Sequence, residues 1–91
     1  MNIVYMVCCA DNTLYTGWTT DLKKRVQVHN AGEGAKYTRS RLPVRPVYAE
    51  ICEDKSAALK REAAIKKLTR RQKLFLIQNQ SNQLENILSS K

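Results

Sequence analysis

Histidine, tryptophan and phenylalanine each occur once in this 91-residue chain, proline twice and glycine three times. With so little proline and glycine there is no low-complexity linker, and one domain is expected, burying roughly 60–65% of its unfolded surface. Long apolar runs are also missing. The longest, Ile3 to Ala10, is too short to span a bilayer and lacks the basic flank of a secretory signal, so no membrane association is expected. The three cysteines, Cys8, Cys9 and Cys52, show no CxxC spacing, and the lone His29 belongs to a different element, which argues against a zinc site. An odd number of thiols in apolar runs reads as buried and reduced, and the protein is placed in the cytoplasm.

Acid is scarce in one part of the chain only. Residues 1 to 54 hold 7 basic and 6 acidic side chains, whereas residues 55 to 91 hold 9 basic and 2 acidic. A cationic C-terminal third suits a phosphate-bearing partner, because neutralising phosphates releases counterions. A basic surface that serves only solubility is the plain alternative.

What is present organises into alternating elements. Residues 2 to 10 are apolar on both faces, as a central strand covered on each side should be. Residues 13 to 19, "TLYTGWT", read as its hairpin partner. A two-residue loop at Asp11 and Asn12 would pair Cys8 with Tyr15 and put Tyr5 on the other face. A three-residue loop with Asn12 left-handed would pair Tyr5 with Gly17 and bring both tyrosines to one face. A helix is expected from about Thr20 to Asn30, ended by Gly32 and Gly34. Residues 31 to 43 read as a loop with room for one helical turn. Residues 43 to 53 contain a third strand, confined to an edge by Pro43 and Pro46. Asp54 or Ser56 caps a second helix with Ala57, Ala58, Ile65 and Leu68 inward, and Thr69 with Gln72 makes a capping box that opens a third. Residues 1 to 80 form the domain. Residues 81 to 91 form a polar tail in which Leu84, Ile87 and Leu88 make a weak amphipathic turn, docked or frayed.

Several residues invite chemistry. Arg25 and His29, four apart, lie on one helical face beyond the tyrosine-bearing strand. Glu62 is the only acid between Asp54 and Glu85, among eight basic side chains from Lys55 to Lys73, and sits beside the buried stripe. It can be an ordinary i, i+4 partner of Lys66, or a carboxylate ligand for a hard divalent cation that also touches phosphate. Residues 35 to 45 carry Lys36, Arg39, Arg41 and Arg45 around Tyr37, a pattern that can track a phosphate backbone while the ring stacks on a base. Lys66 and Lys67 extend the basic surface. Phosphodiester cleavage needs a deprotonated nucleophile, a cation on the non-bridging oxygens and help for the leaving oxygen. Tyr, His, Arg and a metal-bound carboxylate can divide those tasks.

"VYM" at 4 to 6, "YTG" at 15 to 17, Arg25 and His29 on the next helix, and "REAAIKK" around Glu62 together resemble the GIY-YIG nuclease domain. The similarity is greatest to small single-domain bacterial proteins of the YhbQ-like group, and "GAKYTRSRLPV" looks like a signature of that group. The resemblance covers residues 2 to 78. It implies an α+β fold in ββαβαα order, a three-stranded antiparallel sheet flanked by helices, with the active site on one sheet face. It also implies an endonuclease that cuts nucleic-acid phosphodiester bonds with one divalent metal ion, magnesium or manganese; DNA is the expected substrate ahead of RNA, in repair or processing. Glu62 would hold the metal, Arg25 clamp the phosphate, Tyr15 activate water with His29 assisting, and Tyr5 position. A monomer is expected. Ile3 and Thr16 depart from the motif at packing positions, and Trp18 stands where some members carry a lysine. Long-sequence specificity is not expected from so small a surface. A non-catalytic nucleic-acid-binding module that keeps the fold is the rival reading.

Overall fold

The computed structural model describes residues 1–79 and 82–89; Gln80, Ser81, Ser90 and Lys91, including the expected domain–tail boundary, lie outside the described residues. The elements run β1 (Asn2–Cys8), β2 (Leu14–Thr19), α1 (Leu22–Asn30), α2 (Lys36–Arg39), β3 (Arg45–Cys52), α3 (Lys55–Lys66), α4 (Arg70–Gln78) and α5 (Leu84–Ser89). This is the expected ββαβαα order with two short helices added, α2 in the loop and α5 in the tail. The antiparallel sheet has the order β2-β1-β3.

β1 is central because both of its faces are apolar. Ile3, Tyr5 and Val7 pack on one side with Leu22, Val44 and Ala49, beneath Val26 of α1 and Leu84, Ile87 and Leu88 of α5. Val4 and Met6 pack on the other with Tyr48, and with Ala58 and Ile65 of α3. The loop is the three-residue form. Asn12 has φ +66°, and the N–H of Cys9 donates to Thr13 O at 2.8 Å across it. Asn tolerates that left-handed conformation better than most residues do. The register that follows pairs Val7 with Tyr15 and Tyr5 with Gly17, so the two tyrosines share a face.

Each helix begins where a side chain satisfies its free N–H groups. Asp21 accepts from the N–H of Lys24, so α1 starts at Leu22 rather than Thr20. Asp54 accepts from Ala57 and fixes the start of α3. Thr69 and Gln72 make the reciprocal capping box of α4. The outer edge of β3 is closed by the segment before α5. Asn82 accepts from Ala49 N–H at 3.2 Å and donates to Val47 O at 3.0 Å, and Gln83 accepts from Ile51 N–H at 2.8 Å. An edge so covered offers no template for another strand. The opposite edge, β2, carries the candidate site.

Candidate active site

Gly17 creates the site by having no side chain. A Cβ there would lie 2.7 Å from Tyr5 Oη and 2.9 Å from its Cζ, so the Tyr5 ring crosses β2 through the space the glycine leaves. The hydroxyl that arrives is 2.8 Å from His29 Nε2 and accepts from Arg25 Nε–H at 3.3 Å. Arg25 and His29 stand one turn apart on α1, as their spacing requires. Both terminal nitrogens of Arg25 remain free of protein partners among the described residues and available to an anion. His29 is fully buried, not a surface histidine, and its Nδ1 lies 2.9 Å from Thr38 Oγ1.

Tyr15 touches His29 ring edge to face, with centroids 5.5 Å apart, and stacks on Tyr37 at 6.0 Å. Its hydroxyl has no hydrogen-bond partner among the described residues. The Tyr37 ring is therefore a wall for Tyr15, and the Arg41 guanidinium lies over it at 3.9 Å. Arg41 is further held by Asp11 at 3.0 Å and by Tyr37 O at 2.7 Å, so it shapes the loop instead of projecting from it. Lys36, Arg39 and Lys67 are exposed. A cleft of about 200 Å³ opens beside Tyr15, lined by Leu14, Thr16, Tyr37, Lys66 and Lys73.

Glu62 corrects the expectation of a site built on one sheet face. Its helix, α3, packs on the face opposite the tyrosines. Lys55 sits over the Trp18 ring at 5.4 Å, while Lys66 lines the cleft with Leu14 and Thr16. α3 thus runs alongside β2, with Glu62 one turn before the cleft-lining Lys66. The two faces meet around the edge of β2. Glu62 is also bonded to Lys66 at 3.3 Å, the plain i, i+4 pair. No cluster of three or more His, Cys, Asp or Glu side chains that could hold a metal occurs among the described residues. A lone half-buried carboxylate does not cage a cation, but it fits magnesium or manganese, which keep several waters and take one or two carboxylates plus substrate phosphate.

Burial pushes the Tyr5 hydroxyl upward, opposed by the hydrogen bond and charge of Arg25, so Tyr5 is protonated at neutral pH. Burial, and then the Arg25 charge, push His29 below its ordinary 6.5. The unfolded chain therefore binds more protons than the folded one between 6.5 and the lowered folded value. His29 costs no stability above that window, and stability falls as the pH drops through it. Urea midpoints measured from about pH 7 to pH 5 should decline in the wild type and show a shallower slope in His29→Gln. Equal slopes would contradict the buried neutral ring.

Thr38, Gly34 and Lys73 are the site residues that sequence reasoning missed. A Cβ on Gly34 would overlap the His29 ring, so this glycine does more than end a helix. The quoted stretch "GAKYT" held the signal, with a second glycine close to a buried-capable threonine.

A family model described as the GIY-YIG catalytic domain matches residues 1–75. A UPF0213 protein of Clostridium perfringens is 57% identical over 86 residues, covering 94% of this chain and 92% of that one. A second, from Syntrophus aciditrophicus, is 56% identical over 77 residues, 84% and 88% of the two chains. The solution NMR structure of a UPF0213 protein from Bacillus halodurans aligns over 100% of both chains, with a TM-score of 0.58 and 40% identity. Another NMR structure, from E. faecalis, gives 0.55 and 46% over 79% of this chain and 77% of that one. Among the described residues no helix is long and apolar enough to cross a membrane. With its fold, its motif order and its relatives in agreement, this chain belongs to the GIY-YIG nuclease family.

Proposed function

We propose that the protein is a divalent-metal-dependent endonuclease that hydrolyses phosphodiester bonds of DNA. The observation that carries this reading is the hydrogen-bonded chain Arg25–Tyr5–His29 at the edge of β2, beside a cleft lined by Tyr15 and by Lys66, the residue that pairs with Glu62.

Arg25 engages a non-bridging phosphate oxygen through its free terminal nitrogens. In the free protein its Nε–H donates to the Tyr5 hydroxyl at 3.3 Å. Tyr5 then relays a proton from the attacking water to His29 Nε2, because His29 itself is buried and bonded to Tyr5, not to Tyr15. Tyr15, with its unpartnered hydroxyl, orients the water. Glu62 would hold magnesium or manganese, which would supply Lewis-acid stabilisation of the phosphate charge. Lys66, paired with Glu62 in the free protein, would have to release it, and with Lys67, Lys36 and Arg39 it follows the nucleic-acid backbone. Tyr37 and Arg41 hold the wall of the cleft. The free thiols suit the cytoplasm, and the protein acts as a monomer.

One observation favours the rival, a non-catalytic binding module: the carboxylate assigned to metal is occupied by Lys66. Labelled DNA and RNA oligonucleotides, incubated with magnesium, manganese or chelator over a range of salt, separate the two. The nuclease reading expects DNA cutting that chelator abolishes. Salt-sensitive binding with no cutting in either metal would hand the case to the module.

A further inference from the structure

Thr38 is fully buried and has no role in the assignments above, yet its hydroxyl lies 2.9 Å from His29 Nδ1. The same hydroxyl donates its one proton to Ala35 O, also at 2.9 Å. An oxygen whose proton is already committed can only accept from a second neighbour. The hydrogen shared with His29 therefore belongs to the ring, on Nδ1. A neutral imidazole protonated on Nδ1 presents its lone pair at Nε2, and Tyr5 Oη stands 2.8 Å from that atom. Tyr5 donates there, while its oxygen accepts from Arg25 Nε–H. All four bonds run in one direction, from Arg25 through Tyr5, His29 and Thr38 to a backbone carbonyl.

The local fold keeps Thr38 in this position. Ala35 precedes α2 in an extended conformation, and its carbonyl also accepts the N–H groups of Thr38 at 3.1 Å and Arg39 at 3.3 Å. Gly34 lets the backbone pass so close to the imidazole that a side chain there would collide with it. One turn of helix is thus laid against the histidine, with the threonine facing the ring.

We propose that Thr38 is a positioning residue that fixes the Nδ1–H tautomer of His29, so that Nε2 is held ready to receive the proton of Tyr5. In the relay, the Tyr5 O–H bond breaks as Nε2–H forms, and the tyrosine oxygen takes a proton from the attacking water. Water leaves as the hydroxide nucleophile, Tyr5 ends neutral, and His29 ends as an imidazolium bonded to Tyr5 and Thr38, later returning its proton to solvent. The tautomer follows from the geometry alone; its kinetic consequence rests on the nuclease reading.

The chain has one histidine, so its ring nitrogens can be read without ambiguity. Long-range proton–nitrogen spectra of the full chain at about pH 7.5, with the histidine ring labelled, report which nitrogen carries the proton. The expected result is Nδ1–H in the wild type and in Thr38→Ser, and a move toward Nε2–H in Thr38→Val, which keeps the volume and loses the hydroxyl. DNA cutting in manganese should lose kcat by about tenfold or more in Thr38→Val with KM unchanged, and recover in Thr38→Ser. An Nε2–H ring in the wild type overturns the proposal whether or not Thr38→Val folds, and so does Nδ1–H retained in that variant. A changed tautomer with unchanged kcat overturns its catalytic half. If the wild type cuts nothing, the nuclease reading fails, and the tautomer alone decides for or against Thr38.

Discussion

Glu62→Gln should lower metal-dependent cutting by about a thousandfold while leaving the protein folded. Glutamine keeps the shape of the side chain and removes the charge that a hard cation needs. No other acid between Asp54 and Glu85 can replace it, and no cluster of metal-binding side chains stands nearby among the described residues. The fold has little to lose. Among the described residues the one ion pair broken is that with Lys66, whose side chain is 51% exposed, and such pairs contribute about 0.5 kcal/mol or less. The melting temperature should barely move, and DNA binding should hold or tighten because the surface gains net positive charge. Initial rates at saturating manganese, alongside a circular dichroism melt, check both halves. A rate within about tenfold of wild type would remove Glu62 from the chemistry.

Gly17→Ala should cost both activity and stability through a single atom. The new Cβ would stand 2.7 Å from Tyr5 Oη, 2.9 Å from Cζ and 3.2 Å from Cε1. The ring must give way, and the hydroxyl then loses its 2.8 Å contact with His29. A displacement of about an ångström at a reacting group costs roughly a hundredfold in rate. Forcing a methyl into a closed space costs about 1–3 kcal/mol. The backbone of Gly17 does not lie in the left-handed region, so space is the whole cause. Combining Gly17→Ala with Tyr5→Phe removes the atom with the closest approach, and the stability penalty should shrink. Denaturant midpoints for the single and double variants, with kcat for the alanine, test this. A fully active, fully stable Gly17→Ala would mean that Tyr5 does not work from its observed position.

These two positions also mark how far the sequence could be read. The Tyr5–Gly17 pairing was one of two registers the hairpin allowed, and the conformation of Asn12 selects it. Capping at Asp54 and Thr69 was legible because it depends on residues a few positions apart. The approach of Glu62 was not. A helical wheel orients Glu62 relative to Ala58 and Ile65, but not which sheet face receives α3; that choice is made by the chain path from β3. Nor was the burial of His29 legible, since it depends on a loop that passes so close to the ring that a side chain at Gly34 would collide with it. Arg41 resembled a phosphate contact because its acidic partner, Asp11, lies 30 residues earlier. Residues of suitable chemical type can thus be picked out along the sequence, whereas those that hold them in place depend on contacts between distant segments.

The central claim is that Arg25 and Tyr5 from one face of the sheet and Glu62 from the other act on one phosphodiester at the edge of β2. Cleavage of labelled single-stranded, duplex and branched DNA in manganese, by the wild type and by Arg25→Ala and Glu62→Gln, tests it most directly. The account predicts cutting by the wild type and its loss in both variants, each with a folded circular dichroism spectrum. Undiminished cutting by either variant, or no cutting of any substrate by the wild type, would contradict it.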